Sequence, residues 1–432
     1  MKFIKKNCGI KIDRSLFRKK IVKDYSALVG SNFALKPIQF IKGLLVAKFL
    51  GPSDYGILKS VELIQMLDKF GSLGFNTTAA REIGNALGAN NQKKVETIRN
   101  TAYSSESLLI LVLFFIGLSS TIFFDSVMLS VLIIMASTGM LVSKFRAIFA
   151  TEAVIQKKFI LTSKIIFFTN LIAAILVIIL VPYLKIYAVL LTNIISGLLS
   201  IIFYFKSLTF NYQFKINKDE FKKILGISIP LTFNTLAFGT FRYAERILII
   251  RYLSMDALGF FAFASMAVGH FTILFSTSVK VRMQDIFEGI GKGDYTRVHK
   301  IVLRETTLFT IISLLLIPLL WLSIEIFTPL LLPKWIDGIY SAQLYLFMLP
   351  LEVIPNYVSI VLISSLVNKQ KILPLYRLIS TGLLICFTII LYYWGILTLE
   401  KFIIIYICSS AFYKITVIVL YKKHFYNIYV QQ

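Results

Sequence analysis

The sequence is poor in the residues from which most catalytic and metal sites are built. Its 432 residues include only 3 cysteines and 3 histidines. The cysteines show neither a disulfide framework nor a metal-binding spacing. The sequence also contains no glycine-rich phosphate loop, metal-ligand cluster or triad-like grouping. These absences argue against the common classes of enzyme, so we predict a protein without catalytic residues, metal or cofactor.

Acidic residues are also scarce. The chain has 22 Asp and Glu against 46 Lys and Arg, which gives a formal net charge of +24. In a soluble protein, such an excess would suggest nucleic acid as the partner. In a membrane protein the same excess is expected, because cytoplasmic loops collect Lys and Arg. Hydropathy decides between a soluble nucleic-acid-binding protein and a membrane protein.

Long apolar runs are what the sequence has in abundance. Hydrophobic residues make up 57% of the chain, and runs of membrane-spanning length recur almost from end to end. The runs are continuous rather than alternating, which favours helices over a membrane barrel. We therefore predict an all-α polytopic membrane protein with no nucleic-acid partner. Twelve transmembrane helices are predicted, at 24–50, 55–80, 101–123, 127–149, 159–181, 184–205, 223–249, 257–279, 304–328, 340–367, 374–395 and 398–421.

The connecting segments differ in charge. Those after even-numbered helices are rich in Lys and Arg, whereas those after odd-numbered helices hold almost none. Because basic segments stay on the cytoplasmic side, both termini are predicted to be cytoplasmic. Charged stretches such as 93–99, 280–304 and 369–377 are interpreted as cytoplasmic loops.

The two halves of the chain match under a shift of 203 residues, which places 49–56 on 252–259. Each half then holds six helices in the same orientation, as in some secondary transporters. We predict two pseudo-symmetric six-helix lobes, a linker and two tails. The predicted division is a basic cytoplasmic tail, an N-terminal lobe, a cytoplasmic linker, a C-terminal lobe and a second cytoplasmic tail, at 1–23, 24–205, 206–222, 223–421 and 422–432.

A short motif lies between the first two predicted helices. It reads Val-Ala-Lys-Phe-Leu-Gly-Pro-Ser-Asp-Tyr-Gly at 46–56, followed by Phe-Gly-Ser-Leu-Gly-Phe at 70–75 and Ala-Arg-Glu-Ile at 80–83. Gly and Pro allow a sharp turn, and Asp can cap the helix that follows. We interpret four of its residues as a structural turn: Gly51, Pro52, Asp54 and Gly56.

This motif resembles the N-terminal signature of polysaccharide transporters. These are the O-antigen and capsule-type flippases of the multidrug/oligosaccharidyl-lipid/polysaccharide exporter superfamily. The resemblance implies two lobes in a V around a central cavity, in the bacterial inner membrane. It also implies alternating-access translocation of a polyprenyl-pyrophosphate-linked oligosaccharide, such as an O-antigen, capsule or exopolysaccharide repeat unit. The expected partners are this substrate and membrane lipids, with polysaccharide polymerase and chain-length machinery as further candidates.

Several positive charges lie inside predicted helices. A charge facing lipid costs roughly 2.5–3.5 kcal/mol, so these residues need a water-filled cavity or an internal partner. Lys and Arg suit phosphate oxygens, which favours an anionic substrate. The predicted substrate-binding residues of a cationic cavity are Lys36, Lys42, Lys59, Lys69, Arg242 and Arg246. Lys414 is also at membrane depth, but the sequence does not rank it or Glu352.

Three acidic residues lie on the same helices, namely Glu62, Asp68 and Glu245. They are candidates for ion or proton coupling. Equally, they could neutralise neighbours three or seven positions away, in the pairs Lys59–Glu62, Glu62–Lys69 and Arg242–Glu245. The second helix carries Lys59, Glu62, Asp68 and Lys69, while its counterpart in the other half is uncharged at those positions. We therefore expect substrate or coupling contacts to concentrate in the N-terminal lobe.

Two other functions remain open. A multidrug or organic-cation antiporter of the same superfamily would favour carboxylates, and the first helix has no acid after Asp24. A membrane polysaccharide polymerase or ligase would carry a large outer loop. The longest outer loop here, around 329–340, is short.

Overall fold

The computed structural model describes residues 14–66, 73–209, 212–364, 367 and 372–426. Within these ranges every regular element is helical. The α-helices are, in chain order, α1 (Arg14–Met66), α2 (Phe75–Gly88), α3 (Gln92–Ser120), α4 (Val127–Ile155), α5 (Phe159–Leu184), α6 (Ile186–Ser207), α7 (Lys218–Tyr252), α8 (Met255–Gly291), α9 (Tyr295–Leu331), α10 (Ile339–Tyr345), α11 (Met348–Ile363), α12 (Ile372–Tyr393) and α13 (Leu399–Tyr421).

Eight candidate membrane spans are found in the described residues by length and composition. They comprise α3 to α6, α9, the segment Pro333–Ile363 that contains α10 and α11, and the helices α12 and α13. The two limbs of α1, together with α7 and α8, account for the remaining predicted spans. The limbs of α1 and the helix α7 carry seven of the charges singled out from the sequence, namely Lys36, Lys42, Lys59, Glu62, Arg242, Glu245 and Arg246.

Gly51 divides α1 into two limbs. Its backbone has φ 76° and ψ 174°, a conformation outside the helix that a residue without Cβ adopts readily. Pro52 follows at the start of the second limb, where its missing N–H costs nothing. The break lies at the predicted turn. Asp54 is 3.9 Å from the Lys185 ammonium, so its carboxylate faces a charge of the neighbouring connection.

The predicted loops at one end of the bundle are wrong, because helices continue through them. α3 begins at Gln92 instead of 101, α8 continues to Gly291 instead of 279, and α9 begins at Tyr295 instead of 304. Hydropathy marks the part of a helix that suits lipid and does not detect its continuation into water. This end also holds the interlobe linker and is called the linker end. The opposite end, with the Gly51 break, is called the turn end.

Two predicted spans are divided in the structure. The span 55–80 is interrupted before α2, where Leu73 and Gly74 have positive φ values of 43° and 71°. The span 340–367 consists of α10 and α11, with a break between Tyr345 and Met348. At the first break, a left-handed residue ends a helix without lowering hydropathy, which explains why the sequence predicts an uninterrupted span there.

The lobes join at the turn end around Trp335. This side chain is 1% exposed, and its Nε1 donates a hydrogen bond to the Ala47 carbonyl at 3.0 Å. The Tyr55 ring of the N-terminal lobe meets it edge-on, with centroids 5.5 Å apart. Phe263 of the C-terminal lobe packs on it at 4.8 Å. One hydrophobic core therefore crosses from α1 to the opposite lobe.

A reciprocal backbone contact reinforces this junction. A Cβ on Gly56 would lie 1.9 Å from the Met255 carbonyl oxygen, and a Cβ on Gly259 would lie 2.1 Å from the Pro52 carbonyl oxygen. The 203-residue shift relates Gly56 to Gly259 and Pro52 to Met255. The internal repeat is therefore visible as a pseudo-twofold pair of contacts between the two lobes.

The lobes also meet at the linker end. The linker lies along α3, where the Gln213 N–H donates to Asn100 Oδ1 at 3.1 Å. The Lys223 ammonium at the start of α7 is 3.1 Å from the Glu82 carboxylate on α2. A Cβ on Gly74 would lie 2.7 Å from Thr232 Oγ1. In this conformation the lobes contact each other at both the turn end and the linker end.

Candidate functional site

A cavity of about 840 Å³ lies between the helices of the C-terminal lobe. That volume is within the range of ligand-binding cavities. Its lining includes six charged side chains contributed by α7, α11, α12 and α13, namely Arg242, Glu245, Arg246, Glu352, Arg377 and Lys414. Four cations against two carboxylates leave a positive excess of two charges around this cavity.

Glu352 and Lys414 form an ion pair across the cavity lining. Lys414 Nζ donates to Glu352 Oε1 at 3.2 Å, and the Lys414 side chain is 9% exposed. A buried charge of this kind is stable only with a partner. Glu352 therefore neutralises Lys414, which explains how a lysine is accommodated in an otherwise apolar helix.

Arg377 lies in the second turn of α12 and is 8% exposed. Its guanidinium carbon is 3.8 Å from the centroid of the Phe241 ring and 5.2 Å from that of Tyr413. Its Nε and Nη1 are buried and have no hydrogen-bond partner among the described residues. The assignment of Arg377 to a cytoplasmic loop is wrong, because α12 begins at Ile372.

Glu245 is a buried carboxylate on α7, with 6% exposure. Tyr406 of α13 lines the same cavity, and the Tyr345 hydroxyl donates to the Tyr406 hydroxyl at 3.5 Å. The second carboxylate oxygen, Oε2, has no hydrogen-bond partner in the described part of the chain. The described residues include no direct ion pair between Glu245 and Arg242, so the contact that their spacing allows is not formed there.

Lys59 and Glu62 form the ion pair that the sequence allows, at 2.8 Å. Arg246 extends from α7 toward this pair on α1. Its Nη1 donates to the Lys59 carbonyl oxygen at 3.2 Å and lies 3.9 Å from Glu62 Oε2. Lys59 and Arg246 are thus both engaged by the protein, and their contacts connect the two lobes.

Lys42 and Arg242 differ from those two residues. Lys42 is half-buried, Arg242 is exposed to the cavity, and neither forms a hydrogen bond or ion pair among the described residues. Such cations keep their donors available for an anion. Of the other predicted site residues, Asp68 and Lys69 lie outside the described residues, as does the side chain of Lys36. The predicted Glu62–Lys69 pair is outside them too.

The charged cavity of the described residues lies in the C-terminal lobe, and the expectation that substrate or coupling contacts concentrate in the N-terminal lobe stays a prediction. Sequence reasoning gave no role to Glu352, Arg377 and Lys414. The available signal was their position inside or next to apolar runs, but the sequence does not show that α11, α12 and α13 face one cavity. Their convergence depends on packing between helices distant in the chain.

The fold is similar to that of solved transporters. An inward-facing MATE family transporter of the MOP superfamily matches with a TM-score of 0.67 at 14% identity, over 91% of this chain and 95% of that one. The lipid II flippase MurJ, in an inward closed conformation, matches with a TM-score of 0.67 at 15% identity, over 93% and 89%. A MOP superfamily transporter from Pyrococcus furiosus Vc1 (DSM3638) matches with a TM-score of 0.59 at 13% identity, over 94% and 96%.

These similarities confirm the predicted fold class. The chain has the twelve-helix, V-shaped architecture of two six-helix lobes that these multi-pass membrane transporters share. At such low identity the likeness shows the fold alone. The resemblance stated from the motif at 46–83 is confirmed independently by a family model.

The family model is described as "Polysaccharide biosynthesis protein" and matches residues 21–282, more than half of the chain. A comparison with curated proteins finds no match. On the extent of the family match, the chain belongs to the polysaccharide biosynthesis protein family.

Proposed function

We propose that the protein is a flippase that moves a polyprenyl-pyrophosphate-linked oligosaccharide across the bacterial inner membrane. The observation that carries this proposal is the positive excess around the 840 Å³ cavity. A diphosphate head group brings negative charge, and the sugar brings hydroxyls that hydrogen-bond with polar lining residues. One structural relative supports a lipid-linked substrate, since MurJ is described as a lipid II flippase.

The two contact regions between the lobes support translocation by alternating access. Loss of the Lys223–Glu82 contact would open the linker end, and separation of Gly56 from Met255 would open the turn end. The head group enters between the lobes while the lipid tail stays in the bilayer. We place the linker end and both termini in the cytoplasm, because the basic segments lie at that end.

We assign ion or proton coupling to a carboxylate that still has an oxygen available for a proton or a cation. Glu62 is committed to Lys59 and Arg246, whereas Glu245 keeps an oxygen without a partner among the described residues. Glu245 is therefore the stronger candidate for ion or proton coupling. The protein itself acts as a transporter and not as an enzyme, with polymerase and chain-length machinery as partners downstream.

Complementation of a deletion strain tests the proposed function. We predict that Lys42→Ala and Arg242→Ala each reduce surface polysaccharide and accumulate the lipid-linked intermediate. Arg251→Ala, an exposed charge at the turn end, is the matched control and should restore the polymer fully. Membrane levels of each variant must equal that of the native protein. Normal polymer in both variants would contradict the assignment of Lys42 and Arg242 to substrate binding.

A second candidate function is an organic-cation antiporter. The fold shared with a multidrug resistance MATE family transporter and the buried Glu245 favour it. In the Pyrococcus furiosus relative, reversed polarity of the binding pocket is described as suggesting a different function, so pocket charge is a criterion within this fold. Ion-coupled efflux of organic cations by the purified protein in liposomes would support the antiporter instead.

A further inference from the structure

Arg377 is held in a fixed orientation inside the cavity lining. The Phe241 ring, 3.8 Å away, and the Tyr413 ring, 5.2 Å away, contact the guanidinium from helices α7 and α13. A planar guanidinium on an aromatic face retains its N–H donors, because these point outward in the plane. The rings therefore position the arginine without using its hydrogen bonds.

The neighbouring carboxylates do not satisfy these donors. Glu352 is bound to Lys414 at 3.2 Å, and no hydrogen bond joins Glu245 Oε2 to Arg377 Nε or Nη1 among the described residues. Arg377 Nε and Nη1 remain buried and without a hydrogen-bond partner among the described residues. Leaving buried donors unpaired is costly, and more so for a charged group. A cavity-lining arginine in this state is prepared for an anionic ligand.

We propose that Arg377 binds the diphosphate oxygens of the substrate head group, with Arg242 as a second contact on the same cavity. This assignment rests on the proposed flippase function. The fixed fork of Arg377 matches two oxygens of one phosphate group. Arg242, exposed to the cavity from α7, reaches the other phosphate. The diphosphate is thereby recognised by the C-terminal lobe, away from the engaged pair Lys59–Glu62.

Binding measurements on the purified full-length chain test the assignment. The probes are farnesyl diphosphate, farnesyl monophosphate and inorganic pyrophosphate, titrated by calorimetry into protein in nanodiscs. We expect Arg377→Gln to weaken farnesyl diphosphate binding at least tenfold and to abolish the preference over the monophosphate. Arg377→Lys keeps the charge but loses the fork, so an intermediate loss is expected. Arg251→Gln is the control, since Arg251 also lies over a ring, at 5.8 Å from Tyr252.

The outcomes separate this assignment from the proposed function. Native-like diphosphate binding by Arg377→Gln, with loss in Arg242→Gln, would overturn the role of Arg377 and leave the flippase proposal standing. Native protein that does not prefer diphosphate to monophosphate would contradict both. If Arg377→Gln does not fold, Arg377→Lys decides, and unchanged binding by that variant overturns the assignment.

Discussion

At the scale of single residues, the predicted substrate-binding cations fall into two groups. Lys59 and Arg246 are engaged, with Lys59 2.8 Å from Glu62 and Arg246 bonded to the Lys59 carbonyl oxygen. Lys42 and Arg242 have no such bond among the described residues. The sequence shows that charges at membrane depth need a polar environment. It does not show which are already paired, because Arg246 reaches a residue 187 positions away.

A buried ion pair in the N-terminal lobe gives a prediction about stability. Arg99 donates two hydrogen bonds to Glu152, from Nε at 3.1 Å and from Nη2 at 2.9 Å, and Tyr103 donates a third at 3.1 Å. Glu152 is fully buried. We predict that Glu152→Ala lowers the free energy of unfolding by about 3–5 kcal/mol, because it leaves Arg99 uncompensated.

Thermal unfolding in detergent, followed by tryptophan fluorescence, measures this effect. The control is Glu288→Ala, which removes an exposed i, i+4 partner of Lys292. Surface pairs of that kind contribute only about 0–1 kcal/mol. Equal melting temperatures for the two variants would show that the Arg99–Glu152 pair stabilises the protein no more than the exposed Lys292–Glu288 pair does. The sequence analysis places Arg99 in a cytoplasmic loop. It does not detect the ion pair, because the partner Glu152 lies 53 residues away.

At the scale of helices, the Gly56 and Gly259 contacts predict how the turn end opens. A side chain at either position would collide with a carbonyl oxygen of the opposite lobe, at 1.9 Å or 2.1 Å from its Cβ. We predict that Gly56→Ala and Gly259→Ala separate the lobes there. Gly382→Ala is the control, since no atom lies within 4 Å of its Cβ position.

Distances between two spin labels, measured by double electron–electron resonance, report this separation. Spin labels at Tyr183 and Tyr340, which are exposed on the two lobes at the turn end, need a background without native cysteines. Longer and broader distances are expected in both glycine variants and unchanged ones in Gly382→Ala. An identical distribution in all proteins would contradict a role for these glycines in closing the turn end.

Helix positions were predictable where the apolar run and the helix cover the same residues. The predicted span 398–421 agrees within one residue with α13, Leu399–Tyr421. Agreement fails where a helix leaves the membrane, as at Gly291, and where a left-handed residue such as Gly74 interrupts an apolar run. Both failures have one cause: hydropathy describes the solvent around a helix and not its backbone.

At the scale of the whole molecule, the two lobes share an architecture but not a charge distribution. The 203-residue shift predicts equivalent halves, and the reciprocal glycine contacts agree with it. The 840 Å³ cavity nevertheless belongs to one lobe, where α7, α11, α12 and α13 bring six charged residues together. The number of apolar spans follows from the sequence alone, whereas this convergence depends on helix packing.

Translocation by the reconstituted protein tests the central claim most directly. The substrate is a fluorescent disaccharide on a short polyprenyl diphosphate, and its exposure is read by an impermeant quencher outside the vesicles. We predict that native protein raises the flipping rate above that of empty vesicles. The Lys42→Ala/Arg242→Ala double variant should lower that rate at least tenfold, with Arg251→Ala unchanged. A native rate equal to that of empty vesicles, with correctly inserted protein, would contradict the flippase account.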